Sequence, residues 1–273
     1  MMTVDEMSYE FDVLASSYFR EGGFALSDSS LLAFNDYEKS VFLTREQEAL
    51  VQSLYSDRSA IGSFEKTEQL RRDLENLLAS DVVEPVQRST SSSINIDDPY
   101  YGSEQHIDEQ QDVVPATHIV SGSQFFKLPS NLWYIVYEAG RYSNDSGMNC
   151  PDTEDGFPVE VIPVTYDNLH RIQHNPFRRA NKRRALRLDN GKSVDNYVEL
   201  ISATPLAQYY VKYIRRPEPI ILVDLPDGLK INGKDKTSEC ELHESLHRLV
   251  LDGAVRMAVS SRVGQGSQKS EQS

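Results

Sequence analysis

Residues 240–261, CELHESLHRLVLDGAVRMAVSS, contain His243-Glu244-Ser245-Leu246-His247. On a helix this spacing sets two imidazoles one turn apart with a carboxylate between them, the pattern that supplies two zinc ligands and a general base. A hydrolytic zinc needs a third protein ligand, which in zincin-type sites lies downstream. Here RLVLDGAVRM follows, and after residue 252 the only acid is Glu271. The same turn also fits a packing role. Leu242, Leu246, Leu249, Val250, Gly253 and Met257 form an apolar stripe that His243 and His247 border, and Cys240 shares their face. Packing is the favoured reading, so no catalytic, cofactor or metal residue is assigned; a zinc-dependent hydrolase built on His243, Glu244 and His247 is the alternative.

A second pattern lies just upstream. GLKINGKD, residues 228–235, has the Gly-x4-Gly-Lys spacing of a phosphate-binding loop, but Asp235 stands where Ser or Thr should ligate magnesium. A glycine-containing hairpin turn accounts for it better. The third pattern is cationic: FRRANKRRALRLDNGK holds Arg178, Arg179, Lys182, Arg183, Arg184, Arg187 and Lys192, with Phe177 as its one aromatic. Nucleic-acid grooves interleave cations with stacking aromatics, which this strip lacks. Contact with a carboxylate-rich protein surface is the preferred reading, a DNA-binding accessory role the alternative.

The charge supports that preference. The 273 residues carry a net charge of −14, and residues 1–114 hold 23 acids against 8 bases. A front half so acidic is ill suited to gripping phosphates and offers a complement to the cationic strip. Cys150 and Cys240 are the only cysteines, which excludes a disulfide framework. No apolar run is long enough to span a membrane. The acidic start MMTVDEMSYEFDVL differs from a secretory signal, so the chain is expected to stay in the cytoplasm of the cell that makes it.

The elements that must position these residues are of two kinds. Thr3 and Glu6 form a capping box ahead of Val4, Met7, Phe11, Leu14, Ala15 and Tyr18; Thr44 and Gln47 suggest a second, ahead of Leu50, Val51, Leu54 and Tyr55. Ser63 precedes a third amphipathic stretch through Leu78. Seven segments after residue 115, from THIVSGSQFFKL to PIILVDL, are rich in β-branched and aromatic residues between turn formers. One interruption, TYDNLHRIQHNPF, reads as a helical turn or two stopped by Pro176.

The expected fold is therefore α+β. N-terminal helices (1–80) and a C-terminal helix (239–262) form a bundle, and an antiparallel β-sheet or sandwich module (115–238) is inserted between them. A Ser-rich acidic segment (81–114) reads as a mobile arm and residues 263–273 as a disordered tail.

Several stretches together resemble a known family. TVDEMSYEFDVL, FFKLPSNLWYIVYEAG, VIPVTYDNLHRIQHNPFRRANKRRALRL, QYYVKYIRRPEPIILVDL and CELHESLHRLVLDGAVRMAV are similar to a virion structural protein of Bacteroides-infecting, crAss-like phages. The plan more distantly resembles the tail tubular adaptor proteins of short-tailed phages. The resemblance implies a ring or adaptor in the portal–tail assembly of the virion. It further implies a homo-oligomer of twelve copies, portal and tail proteins as neighbours, DNA passing through the lumen without specific binding, and no catalysis. On that reading Arg178, Arg179, Lys182, Arg183, Arg184, Arg187, His243 and His247 are candidates for the subunit interface.

Overall fold

The computed structural model describes residues 2–21, 33–56, 68–86, 105–107, 113–115, 123–142, 158–189, 196–226 and 228–270. In chain order the first elements are α1 (Val4–Glu21), α2 (Asp36–Ser56), the short α3 (Glu68–Asp73), a 3-10 turn (Glu75–Leu77) and β1 (Leu78–Val83). Then come β2 (Gln105–Ile107), β3 (Val113–Pro115), β4 (Gln124–Lys127), β5 (Leu132–Tyr142) and β6 (Pro158–Pro163). The chain continues through α4 (Tyr166–Gln173), β7 (Arg184–Asp189), β8 (Tyr197–Ile201), β9 (Leu206–Arg215) and α5 (Glu244–Ser270). Two compact units result, Met1–Leu78 with Arg216–Ser273, and Ala79–Arg215. The architecture is α+β, a sheet module inserted between the first helices and the last.

In the helical unit, Thr3 and Glu6 make the reciprocal cap that the sequence suggests. The Thr3 N–H donates to Glu6 Oε2 at 2.9 Å, and the Glu6 N–H to Thr3 Oγ1 at 3.3 Å. Met7, Phe11, Ala15 and Phe19 bury the inner face of α1. The start of α2 differs from expectation. Asn35 and Glu38 form its capping box, with the Glu38 N–H 2.7 Å from Asn35 Oδ1 and the Asn35 N–H 3.1 Å from Glu38 Oε2. Thr44 and Gln47 instead lie inside the helix, buried, and bond the backbone of the returning chain. The Thr44 hydroxyl pairs with both the N–H and the C=O of Ile220, at 3.0 and 3.3 Å. Gln47 Nε2 donates to Glu218 O at 2.7 Å, and one turn earlier Ser40 Oγ accepts the Leu222 N–H at 3.0 Å.

This explains why PIILVDL forms no regular strand. The Ile220 groups and the Leu222 N–H are taken by α2 side chains, and of the expected ladder there remain the Ile221–Ser238 bridge and the Leu225 N–H bond to the Asp235 carbonyl at 2.8 Å. Residues 216–238, expected in the β module, therefore group with the helices. The expected third helix ends early, at Asp73, and its start near Ser63 lies outside the described residues. After α3 the chain tightens into the 3-10 turn and becomes a strand at Leu78, which carries β structure to Val83, into the segment read as an arm. Residues 105–107 and 113–115 form an antiparallel pair, and the rest of 87–114 lies outside the described residues.

α5 packs on α1 and α2 through Leu246, Val250, Leu251, Ala254, Val255 and Ala258. The buried stripe is rotated from the expected one: Leu249 is 56% exposed. The helix also continues to Ser270, through most of the stretch expected as a tail. The Gly228–Asp235 segment is the expected hairpin turn. Asn232 (φ 49°) and Gly233 (φ 83°) occupy the left-handed region, and Ile231 and Lys234 exchange both backbone bonds across them.

The inserted unit is a seven-stranded sheet in the order β1-β9-β5-β6-β7-β8-β4. It is mixed rather than wholly antiparallel. β6 and β7 run parallel because α4 carries the chain back between them. The sheet curls until its two edges meet, where Pro85, just past β1, bridges Phe126 of β4 and the Val86 N–H reaches Phe125 O at 2.8 Å. Strand alternation then sorts the side chains. Val159, Val161, Ala185, Val198, Leu200, Tyr209, Val211 and Tyr213 fill the inside, while Leu186, Leu188 and Ile201 face outward under Leu169 of α4.

Candidate subunit interface

The His-Glu-x-x-His turn sits at the start of α5, and its two imidazoles have separate structural tasks. His247 is 2% exposed. Its Nε2–H donates to the Leu242 carbonyl at 2.9 Å, and its Nδ1 accepts the Met2 N–H at 3.4 Å. Both ring nitrogens are thus committed to backbone. His243 caps the helix: its Nδ1 accepts the Ser245 N–H at 3.3 Å and lies 2.8 Å from the Ser245 hydroxyl. Among the described residues no group of three or more His, Cys, Asp or Glu side chains could hold a metal ion. Cys240 is buried, and burial pushes its thiol up to about 11. His247→Ala is expected to cost about 1–3 kcal/mol, by stranding the buried Leu242 carbonyl. His243→Ala is expected to cost less, about 0.5–2 kcal/mol, because it removes only a cap. Urea unfolding of both variants checks the order.

The cationic strip divides into three parts that strand and turn geometry decide. Arg187 belongs to β7, where alternation turns it inward beside Ala185. It is 8% exposed, with Glu138 Oε2 at 2.6 Å and Asp189 Oδ1 at 3.0 Å. The same Glu138 oxygen accepts the Tyr209 hydroxyl at 2.6 Å. Burial pushes the Glu138 carboxyl above its usual range, the Arg187 charge opposing that shift. Arg187 is therefore a core cation of the sheet and not a docking residue. Arg184, half-buried at the start of β7, donates to the Phe177 carbonyl at 2.9 Å and fastens its own loop.

Arg178, Arg179, Lys182 and Arg183 do face outward. The loop that carries them is rigidly built. Asn175 Oδ1 accepts the Phe177 N–H at 3.0 Å, and the Asn175 carbonyl accepts the N–H groups of Arg178 and Arg179 at 3.0 and 2.9 Å. Asn181 Oδ1 accepts the Arg183 N–H at 2.8 Å, and Asn181 exchanges both backbone bonds with Arg184. At the tip stands Phe177, 86% exposed. The sequence marks it only as a stray aromatic. The signal that would have singled it out is its place between Pro176 and two arginines, in a turn rather than on a strand. Lys192 lies outside the described residues.

A second surface is not marked by any motif in the sequence. On the outer face of α1, Tyr9 is 72% and Val13 51% exposed, one helical turn apart, and Asp5, Glu6 and Asp12 are exposed around them. Both apolar residues lie opposite the Met7–Phe11–Ala15 stripe, a position that a helical wheel would have shown to be outside.

Comparison with known proteins gives these surfaces their setting. The phage tail ring protein 3/4 family model matches residues 2–98 and 100–270. The chain is 38% identical over 263 residues to Ring protein 3 of Bacteroides phage crAss001, covering 96% of each chain. It is 26% identical over 268 residues to Ring protein 4/5 of the same phage, covering 96% of this chain and 94% of the relative. With nearly its whole length matched, the chain belongs to the crAss-like phage tail ring protein 3/4 family, structural ring proteins of the virion.

Proposed function

We propose that this chain forms a closed homo-oligomeric ring around the DNA channel of the portal–tail connector, without catalysis, with portal and other tail proteins as its neighbours. The observation that supports this best is the end-to-end match to tail ring proteins. Twelve copies would follow if the ring shares a portal's symmetry, and assembly would take place in the host cytoplasm. Head-to-tail contacts between identical subunits close into a ring when their rotation allows it. A net charge of −14 disfavours adhesion of the wall to DNA phosphates, so that the genome slides. The exposed cations of the 175–183 loop serve protein contact on this reading. Several arginines on DNA would give a steep salt dependence and a grip that opposes ejection.

Imaging of purified virions with this subunit tagged tests the proposal. The expected result is a closed ring in the tail stack, and a label on a fibre or the capsid shell would remove it. Reversing Arg178, Arg179 and Arg183 together to Glu should leave the subunit folded, because all three are exposed. Incorporation into virions should fall on the order of tenfold. Normal incorporation with loss of packaged DNA would instead place the loop against the genome.

A further inference from the structure

Resting on the ring reading above, we propose that the 175–183 loop of one subunit docks on the outer face of α1 of a second copy, with Phe177 as the anchor between Tyr9 and Val13. Two independent properties of the surfaces match. Phe177 is 86% exposed, and Tyr9 and Val13, at 72% and 51%, are the large apolar side chains of the α1 outer face. An exposed aromatic is poorly placed in water and gains most by entering an apolar patch on a partner. Around it Arg178, Arg179, Lys182 and Arg183 point outward, whereas beside Tyr9 and Val13 stand Asp5 and Glu6, while Asp12 is paired with Lys39 of α2 at 2.7 Å. An apolar centre within a charged rim of opposite sign is the anatomy of a specific contact, with the rim setting orientation and rate of docking.

The loop is also preorganised. The Asn175 and Asn181 turns and the Arg184 staple hold its backbone before any partner arrives, so little ordering cost remains at docking. The second copy is the occupant that the charges favour, since every subunit carries both surfaces. Loop and helix face are different patches, so the contact is heterologous: each copy gives a loop to one neighbour and receives one from the other. Only a closed ring fills every such site.

Carbodiimide treatment of purified virions tests the contact, because it joins a lysine amine to a carboxylate only when the two touch. Lys182 should be joined to Asp5 or Glu6 in a covalent dimer of this chain, as read from the linked peptides. Lys182→Arg keeps the charge but removes the reactive amine, so the ring should form while that dimer disappears. Phe177→Asp should lower incorporation on the order of tenfold. A ring present in images whose Lys182 links reach another segment, another protein or nothing would overturn this contact and leave the ring reading standing. Absence of any ring would remove both.

Discussion

Arg187→Ala should be among the most damaging single substitutions in this chain, costing roughly 3–5 kcal/mol of stability in the sheet unit, because it strands a buried carboxylate. Glu138 sits inside the curled sheet with, among the described residues, Arg187 Nη1 and the Tyr209 hydroxyl, both at 2.6 Å, to replace water. Burial already raises the Glu138 carboxyl above its ordinary range against the pull of Arg187. Without the guanidinium, that opposition vanishes and the carboxyl rises further. The sign of the pH dependence follows. A carboxyl whose folded value exceeds its unfolded one contributes stability below the unfolded value and loses it as pH rises through the folded one. The Arg187→Ala deficit should therefore be largest at neutral pH and shrink on acidification, as Glu138 takes a proton. Joint replacement, Arg187→Met with Glu138→Leu, should recover much of the loss, since a desolvated pair adds little net stability over apolar packing. Urea midpoints of the three proteins across pH 4–8 would show this; an Arg187→Ala deficit that does not change with pH would mean that Glu138 stays solvated.

The same residue shows where the sequence stops being informative. Arg183, Arg184 and Arg187 look alike in a basic run, yet one faces outward, one fastens its own loop and one fills the sheet interior. Their fates are set by where strand alternation begins, at Arg184, and that depends on pairing with a strand more than twenty residues earlier. Local signals were legible where the chemistry is local. The Thr3–Glu6 box, the Asn232–Gly233 turn and the end of α4 ahead of Pro176 are each decided within a few residues. The parallel pairing of β6 and β7 was hidden because the crossover helix is only eight residues long. The α1 outer face is hidden for another reason: Tyr9 and Val13 lie off the Met7–Phe11–Ala15 stripe, and helical spacing alone does not say which apolar residues the core leaves out.

The polar stripe of α2 carries the second large effect. Ser40, Thr44 and Gln47 follow helical spacing on one buried face, where apolar side chains would be ordinary. They stand there because the segment 218–222 runs past α2 without a neighbouring strand, and its buried peptide groups need partners. The Thr44 hydroxyl serves both groups of Ile220, Gln47 serves the Glu218 carbonyl, and Ser40 serves the Leu222 N–H. Nothing near Thr44 in sequence announces a partner 176 residues away. Thr44→Val keeps the shape and removes the hydroxyl, stranding two buried groups at about 1–3 kcal/mol each. Thr44→Ser, which keeps the hydroxyl, should cost distinctly less. Ser40→Ala should cost about 1–3 kcal/mol through the Leu222 N–H, and the double variant need not equal the sum, because both side chains hold one segment. Hydrogen exchange separates this account from simple loss of packing. In Thr44→Val the Ile220 amide should lose protection well before the buried amides of α5, because its acceptor is gone while the helix ladder is intact. If Ile220 stays as protected as in the parent protein, another group holds that amide and the clamp is not what seats the returning chain on α2.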